Sequence, residues 1–368
     1  MAFKTSARAK PQEKNSPDAQ SISRALLRWY DRHARELPWR VGPEARKQGV
    51  RADPYAVWLS EIMLQQTTVA TVAPRYAAFL KRWPTVAAMA AAPVDDILGQ
   101  WAGLGYYARA RNLHKCAIEV AKRGGFPESE SELRELPGIG AYTAAAIAAI
   151  AFDKRAVVVD GNVERIISRL FMIDIPLTAA KTLIKEYAET IWPSKRSGDF
   201  AQGLMDLGAN VCRPKAPTCL LCPITKHCAA QQAGVAEAYP VRPAKKPKSQ
   251  RVGAVFALIN ARGEMLFERR PDKGLLGGML GLPGTAWTEE LNREAKSAAP
   301  VNATWEKLGA ITHTFTHFHL MLDVYAATAP KGTRKNTDQR WIKPDEARVP
   351  TVMKKAVRLV CEAKQYDG

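Results

Sequence analysis

The sequence predicts a two-domain protein in which an all-α domain precedes an α+β domain. Three observations carry that expectation. At 368 residues the chain exceeds the size at which a single hydrophobic core is usual. Apolar residues recur at three- and four-residue spacings from Ile22 to about residue 230 and then give way to short β-like runs. Between the two lies YPVRPAKKPKSQR, from Tyr239 to Arg251, with three prolines and no acid, the composition of a semi-rigid, solvated linker.

Taken in order, residues 1–20 are polar and rich in Lys, Ser and Pro and read as a disordered tail. The helical domain, 21–230, contains SRALLRWYDRHA, AVWLSEIMLQQTTVATVAPRYAAFL, VDDILGQWAGL, ARARNLHKCAIEVAKR, TAAAIAAIAF and NVERIISRLF, separated by Pro and Gly. Residues 231–251 form the linker. The second domain, 252–368, holds the β-like runs GAVFALIN, EMLFERR and THTFTHFHLMLDVYAA, with helical stretches near EELNREAKSAA and PTVMKKAVRLVCEAK. There is no internal repeat, so a solenoid is set aside.

Lys plus Arg outnumber Asp plus Glu by 54 to 36, a formal charge of +18, which suits a polyanionic partner. No apolar run reaches the roughly 18 residues of a membrane span, and the first residues lack the apolar core of a signal peptide. The expectation is a cytoplasmic, nucleoid-associated protein of bacterial type with no membrane partner. In such a compartment the six cysteines stay reduced, and clustered ones read as metal ligands. Cys212, Cys219, Cys222 and Cys228 follow the pattern C-x6-C-x2-C-x5-C, which can close around zinc or a cubane cluster. Arg213, Lys215, Lys226 and His227 in that loop suit phosphate contact or form a solvated basic rim. Cys116 and Cys361 stand apart and read as ordinary buried thiols.

Three segments carry the chemistry. ELPGIGAYTAAAIAAIAF sets Pro137, Gly138 and Gly140 before an alanine-rich helix. That is either a glycine turn between packed helices or a hairpin whose free amides bind a DNA phosphate. About twenty residues later Asp160 begins the helix of DGNVERIISRLF. It is a helix N-cap, and equally an anion able to stabilise the positive charge that develops at C1′ when a glycosidic bond lengthens. In WLSEIMLQQT, Glu61 shares a helical face with Val57, Trp58 and Leu64. Burial among apolar groups would let it keep a proton at neutral pH and deliver it to a base nitrogen.

Together these segments resemble the helix-hairpin-helix superfamily of base-excision repair glycosylases. WLSEIMLQQT, with RELPWR (Arg35–Arg40), GLGYYARARNLHK (Gly103–Lys115) and FAQGLMDLGANVC (Phe200–Cys212), is similar to its MutY-type adenine DNA glycosylase branch across nearly all of residues 22–230. The resemblance implies an enzyme that flips adenine out of duplex DNA carrying adenine opposite 8-oxoguanine or guanine. It implies a [4Fe–4S] cluster on Cys212, Cys219, Cys222 and Cys228, Glu61 as the acid at adenine N7, and Asp160 as cation stabiliser supported by Tyr142 and Asn162. Arg35, Trp39, Arg40, Leu64 and Gln202 would line the adenine pocket. Gln66, Thr67, Leu104 and Tyr106 would meet the opposite base, with Tyr106 as an aromatic wedge. Gly138 and Gly140 would approach the DNA phosphate.

Lyases resembling endonuclease III carry a lysine where this chain has Tyr142; without that amine no Schiff base forms, and a monofunctional glycosylase acting as a monomer is expected. The hairpin and cysteines alone would also fit a non-catalytic DNA-binding module with structural zinc. Residues 252–368 resemble the Nudix-like domain with which such glycosylases recognise 8-oxoguanine, and GLLGGMLGLPG (Gly274–Gly284) is similar to its glycine-rich loop. TEELNREAKSAA lacks the carboxylate cluster of a Mg²⁺-dependent hydrolase, so pyrophosphatase activity is not expected. THTFTHFHL is similar to the family's Phe-Ser-His loop, with Thr316 in the serine position and His317 after it. His313, His317 and His319 read as crowding on one strand face rather than a metal site.

Overall fold

Helices fill the first part of the chain because its apolar stripes have the helical period and its breaks carry caps. The computed structural model describes residues 18–243, 247–271, 274–290 and 298–364, and the chain divides into two units, Met1–Ala244 and Lys245–Gly368. The first unit contains α1 (Ala19–His33), α2 (Pro43–Lys47), α3 (Pro54–Leu64), α4 (Val69–Arg82), α5 (Val86–Ala91), α6 (Val94–Gln100) and α7 (Ala108–Arg123). There follow α8 (Glu130–Leu133), α9 (Ala141–Phe152), α10 (Gly161–Leu170), α11 (Leu177–Ile191), α12 (Ser197–Asn210) and the short α13 (Ala229–Gln232). No described helix is long and apolar enough to cross a membrane.

Helices α3, α9 and α12 are the centre of this unit. Eight of the eleven residues of α3 and nine of the twelve of α9 are buried, so these are helices with an apolar surface all round. They lie close because α9 is mostly alanine and α12 carries Gly198 at the crossing. A Cβ at Gly198 would strike the Ala149 carbonyl and come within 2.8 Å of Ile150 Cα.

Two boundaries differ from the sequence expectation. Helix α1 begins at Ala19, inside the expected tail, because the Asp18 carboxylate accepts hydrogen bonds from the amides of Gln20 and Ser21; residues 1–17 lie outside the described residues. The expected linker at 231–251 is also partly structured. Its first residues close α13, the Leu177 amide donates to the Val241 carbonyl at 2.8 Å, and the second unit's first strand already starts at Ser249. Proline and lysine content reports solvation, whereas these contacts use backbone groups that composition does not register.

The second unit is a mixed sheet of β1 (Ser249–Ile259), β2 (Met265–Arg269), β3 (Leu280–Gly281), β4 (Glu306–Thr314), β5 (Phe318–Thr328) and β6 (Gln339–Ile342), followed by α14 (Thr351–Ala363). The order is β3-β2-β1-β5-β4, with β6 also on β2, and β1 runs parallel to β5. Strand β1 is buried on both faces. Val255, Ala257 and Ile259 pack with Met353, Ala356 and Val360 of α14, while Ala254 and Phe256 pack with Tyr325 and Trp305, which explains the unbroken apolar run. The helical stretch expected near EELNREAKSAA falls mainly on 291–297, outside the described residues. In the register of β4 and β5, His313 faces Leu320 and His319 faces Thr314. The histidines therefore do not crowd one face, because the turn between the strands reverses the alternation. Among the described residues no group of His, Cys, Asp or Glu converges on a single-ion site.

Gly198→Ala should lower stability by about 1–3 kcal/mol through overpacking of the α9–α12 crossing. Gly42→Ala, where a Cβ meets nothing within 4 Å, should cost less than about 1 kcal/mol as the loss of a helix-capping glycine. Thermal unfolding of the two variants checks the contrast; equal midpoints would remove the close-approach argument.

Candidate active site

The capping carboxylate of Asp53 and Pro54 in the first turn start α3, and three-residue spacing then turns Val57, Ser60, Glu61 and Leu64 toward a cavity of about 390 Å³. Trp58, expected on the same face, lines a different and smaller cavity with Arg109 and Gly138. Into the larger cavity α9 contributes Tyr142, α12 contributes Gln202 and Met205, and the start of α10 contributes Asp160 and Asn162; Arg35, Trp39, Arg40 and Gln66 complete its wall. The structure thus brings together Glu61, Asp160, Tyr142, Asn162 and every residue assigned to the adenine pocket.

Glu61 is only 7 % exposed. Its Oε2 accepts a hydrogen bond of 2.7 Å from the Tyr142 hydroxyl. Burial pushes the Glu61 carboxyl up to about 7; the Tyr142 hydrogen bond and the Arg40 charge pull it down, while the Asp160 charge adds to the rise. The Tyr142 phenol is itself held well above its usual range, first by burial and then by Glu61 and Asp160, so it serves as donor to Glu61.

Asp160 is the N-cap of α10. Oδ1 accepts from the amides of Asn162 at 2.9 Å and Val163 at 2.8 Å, and Oδ2 accepts from Asn162 Nδ2 at 2.9 Å. Both oxygens are therefore used as acceptors, as suits a carboxylate at a helix N-terminus. The other end of the Asn162 amide accepts from Arg165 Nη2 at 2.8 Å, and the same guanidinium donates to the carbonyls of Gly208 at 2.7 Å and Cys212 at 2.8 Å. An unbroken polar path thus runs from Asp160 to the first cysteine of the loop.

Cys212, Cys219, Cys222 and Cys228 are free thiols. Burial pushes the Cys222 thiol up to about 12, and Cys212, Cys228 and Cys219 add their charge to the rise, so the four are electrostatic neighbours. Arg169, 2 % exposed, donates to Cys212 Sγ at 3.2 Å and to the carbonyls of Arg213, Pro214 and Tyr239. A single tetrahedral zinc draws its thiolates to about 2.3 Å. Four neighbouring thiols beside a buried cation that offsets thiolate charge make a donor set that suits zinc or an iron–sulfur cluster.

Arg35 and Arg40 were expected to line the pocket, and both do so from a shared anchor that the sequence reading did not include. Asp206, fully buried, accepts from Arg35 Nε at 2.5 Å, from the Arg35 amide at 3.0 Å and from Arg40 Nη1 at 2.7 Å. Trp39 packs edge-on against Tyr76. Gln202, 2 % exposed, donates to the Gly198 carbonyl at 3.3 Å.

The residues assigned to the opposite base divide. Gln66 sits on the cavity rim and Tyr106 is 49 % exposed, both with positive φ (57° and 48°). Thr67 does not line the cavity. The Leu104 side chain is 5 % exposed and packs in the core, where an aliphatic side chain between two glycines pins the turn to the interior. At the hairpin, Gly138 takes φ +77° with Asn112 Cβ 2.7 Å from where its own Cβ would be. Gly140 precedes α9, which no side chain caps, leaving that helix start open to a phosphate. Thr316 and His317 are exposed in the turn between β4 and β5 of the second unit, beside stacked Phe315 and Phe318.

Asp206, Arg165 and Arg169 were missed. Each leaves a trace, since Asp206 stands four residues after Gln202 and the two arginines lie four apart, spacings that repeat a helix face. A charged residue on a helix face is ordinarily solvated, however, and only packing shows these to be inside.

Residues 59–194 match the HhH-GPD superfamily of base excision DNA repair proteins and residues 254–359 match the NUDIX domain. The chain is 35 % identical to an adenine DNA glycosylase of Homo sapiens, over 91 % of this chain and 73 % of that one. It is 33 % identical to an adenine DNA glycosylase of Buchnera aphidicola subsp. Acyrthosiphon pisum (strain APS), over 82 % and 85 % respectively. Among solved structures, a thermostable thymine-DNA glycosylase superposes with a TM-score of 0.51 at 30 % identity, covering 58 % of this chain and 97 % of that one.

The buried acid makes stability depend on pH. An unfolded chain releases the Glu61 proton near 4.5 and the folded chain near 7, so between these values the folded state binds more protons and stability falls as pH rises. At about 1.4 kcal/mol per pH unit the ceiling is about 3 kcal/mol. Glu61→Gln should abolish this fall, so that unfolding midpoints of parent and variant diverge from pH 5 to pH 8 in the variant's favour. Parallel curves would show that Glu61 is not a buried acid.

Proposed function

The chain belongs to the adenine DNA glycosylase family, enzymes of base-excision repair that act on DNA, and from that premise we propose that it excises adenine lying opposite 8-oxoguanine or guanine without a lyase step. The observation that carries the proposal is one cavity holding a buried Glu61, hydrogen-bonded by Tyr142, together with Asp160. Two carboxyl groups in unlike surroundings divide acid and anion roles between them.

The basic surface and the Gly138–Gly140 hairpin hold the duplex, and adenine rotates into the cavity while Tyr106 fills the gap. Glu61 gives its proton to N7. The C1′–N9 bond breaks with its electron pair leaving on the base, and the cationic sugar is stabilised by the Asp160 carboxylate, which Asn162 and two helix amides aim. Water adds to C1′ and returns a proton to Glu61. Position 142 offers a phenol rather than an amine, so no Schiff base forms and the abasic strand stays intact until alkali. Thr316 and His317, on an exposed turn braced by Phe315 and Phe318, are the residues of the second unit that meet 8-oxoguanine. Cys212, Cys219, Cys222 and Cys228 hold a [4Fe–4S] cluster. When bound, it supplies a rigid brace for the loop, and the chain's part is Arg169, which offsets thiolate charge.

Glu61→Gln and Asp160→Asn should each lower the single-turnover release of adenine by more than about a hundredfold while duplex binding stays within a few-fold, the pattern of groups that act on the transition state. With the parent enzyme, alkali should reveal breaks in duplexes with adenine opposite 8-oxoguanine and opposite guanine and none opposite thymine, and the rate should fall as pH rises through the Glu61 transition near 7. Full activity in either variant, or breaks without alkali, would overturn the assignment. Purified protein should be brown, absorb near about 400 nm as thiolate-bound iron–sulfur clusters do, and hold four irons; a colourless zinc-loaded protein would overturn the cofactor.

A further inference from the structure

We infer that Arg109 is a positioning residue that locks the Tyr106 turn to the end of the helix carrying Glu61, so that entry of the wedge and seating of the base are one mechanical step. The inference rests on the reading of Tyr106 as wedge and of the Glu61 cavity as base pocket.

Helix α3 ends at Leu64, and the carbonyls of its last turn have no partner within the helix. Arg109 Nη1 donates to two of them, the carbonyls of Ile62 at 2.8 Å and Met63 at 3.4 Å, which directly follow Glu61. The other arm of the fork, Nη2, donates to the carbonyls of Leu104 at 2.9 Å and Gly105 at 3.3 Å, the residues leading into Tyr106. The guanidinium carbon also lies 5.8 Å from the Tyr106 ring centre and 5.2 Å from that of Trp101, and Trp101 Nε1 donates to the same Gly105 carbonyl at 3.0 Å.

Tyr106 keeps a left-handed backbone, φ 48°, that a tyrosine adopts only when its surroundings impose it. The chain then bonds back on itself, the Arg109 amide donating to the Tyr106 carbonyl at 2.8 Å. A ring pushed between base pairs meets a reaction force, and here that force passes through one planar group into the backbone after Glu61. Lysine has one nitrogen and no fork, so it cannot span both sets of carbonyls.

The test is a double-mutant cycle in the full-length enzyme with R109K, Y106A and their combination. The probes are a duplex with adenine opposite guanine, for single-turnover release, and the same duplex with 2-aminopurine in place of adenine, whose fluorescence rises on extrusion. R109K should unfold within a few degrees of the parent and bind the duplex within a few-fold. It should nevertheless lose on the order of tenfold in release, equivalent to about 1.4 kcal/mol in the barrier, with a matching loss of fluorescence amplitude. Y106A should do likewise, and the double variant should be no worse than the poorer single one, because both act through one contact. Losses that multiply, or an R109K enzyme with the parent's fluorescence and rate, would overturn the inference. A Y106A enzyme that still extrudes the base would instead remove the wedge reading. If R109K melts, Arg109→Gln is judged by the same cycle.

Discussion

A carboxyl group enclosed by hydrocarbon resists ionisation, and most of the first unit exists to enclose Glu61 without leaving it unpartnered. Its concealment needs α3 and α9 at close quarters, which α9 permits because seven of its twelve residues are alanine. Tyr142 then supplies the single hydrogen bond, 2.7 Å long, that makes burial tolerable. One donor is enough to satisfy the group and too little to strip it of its proton. Phenol and acid come from different helices, so the acid's strength is set by tertiary packing.

Asp206, Arg165 and Arg169 are buried on the opposite terms, among several partners each. Asp206 is satisfied by two guanidiniums and an amide, and Arg165 and Arg169 spend their donors on backbone carbonyls, the Asn162 amide and Cys212. Removing one partner from such a set is costly because the remainder stays charged and dry. Asp160 owes its aim to this scaffold: its second oxygen meets Asn162, which meets Arg165, which meets the carbonyl of a cysteine. The order of the cysteine loop and the aim of the Asp160 carboxylate are therefore one structural problem.

Much of this was legible in the sequence. Helical period identified the first unit, the cysteine spacing picked out four thiols that the fold makes neighbours, and WLSEIMLQQT and VDGN marked Glu61 and Asp160 before any geometry. What stayed hidden has a common cause. Asp206, Arg165 and Arg169 are charged residues whose burial depends on partners more than forty positions away, and local pattern assigns such residues to solvent. The burial of the Leu104 side chain was equally hidden, because a motif places a residue near a surface without saying which way its side chain points. The histidines of the second unit misled because strand alternation does not carry across a turn. Asp18 escaped notice because a cap precedes the apolar period that reveals a helix.

The pairing of Arg35 and Arg40 with Asp206 also sorts charge between the mouth of the site and its interior. Over the whole chain the excess is +18, so the phosphates of a duplex are drawn to the protein. Around the cavity two guanidiniums are matched by the Asp206 and Asp160 carboxylates, and Glu61 contributes nothing while it holds its proton. The recess therefore has little pull on an anion. A free nucleotide, whose phosphate must follow its base, gains nothing there from the field that draws in DNA. On the proposed function, a base still attached to a backbone that remains outside uses both environments at once.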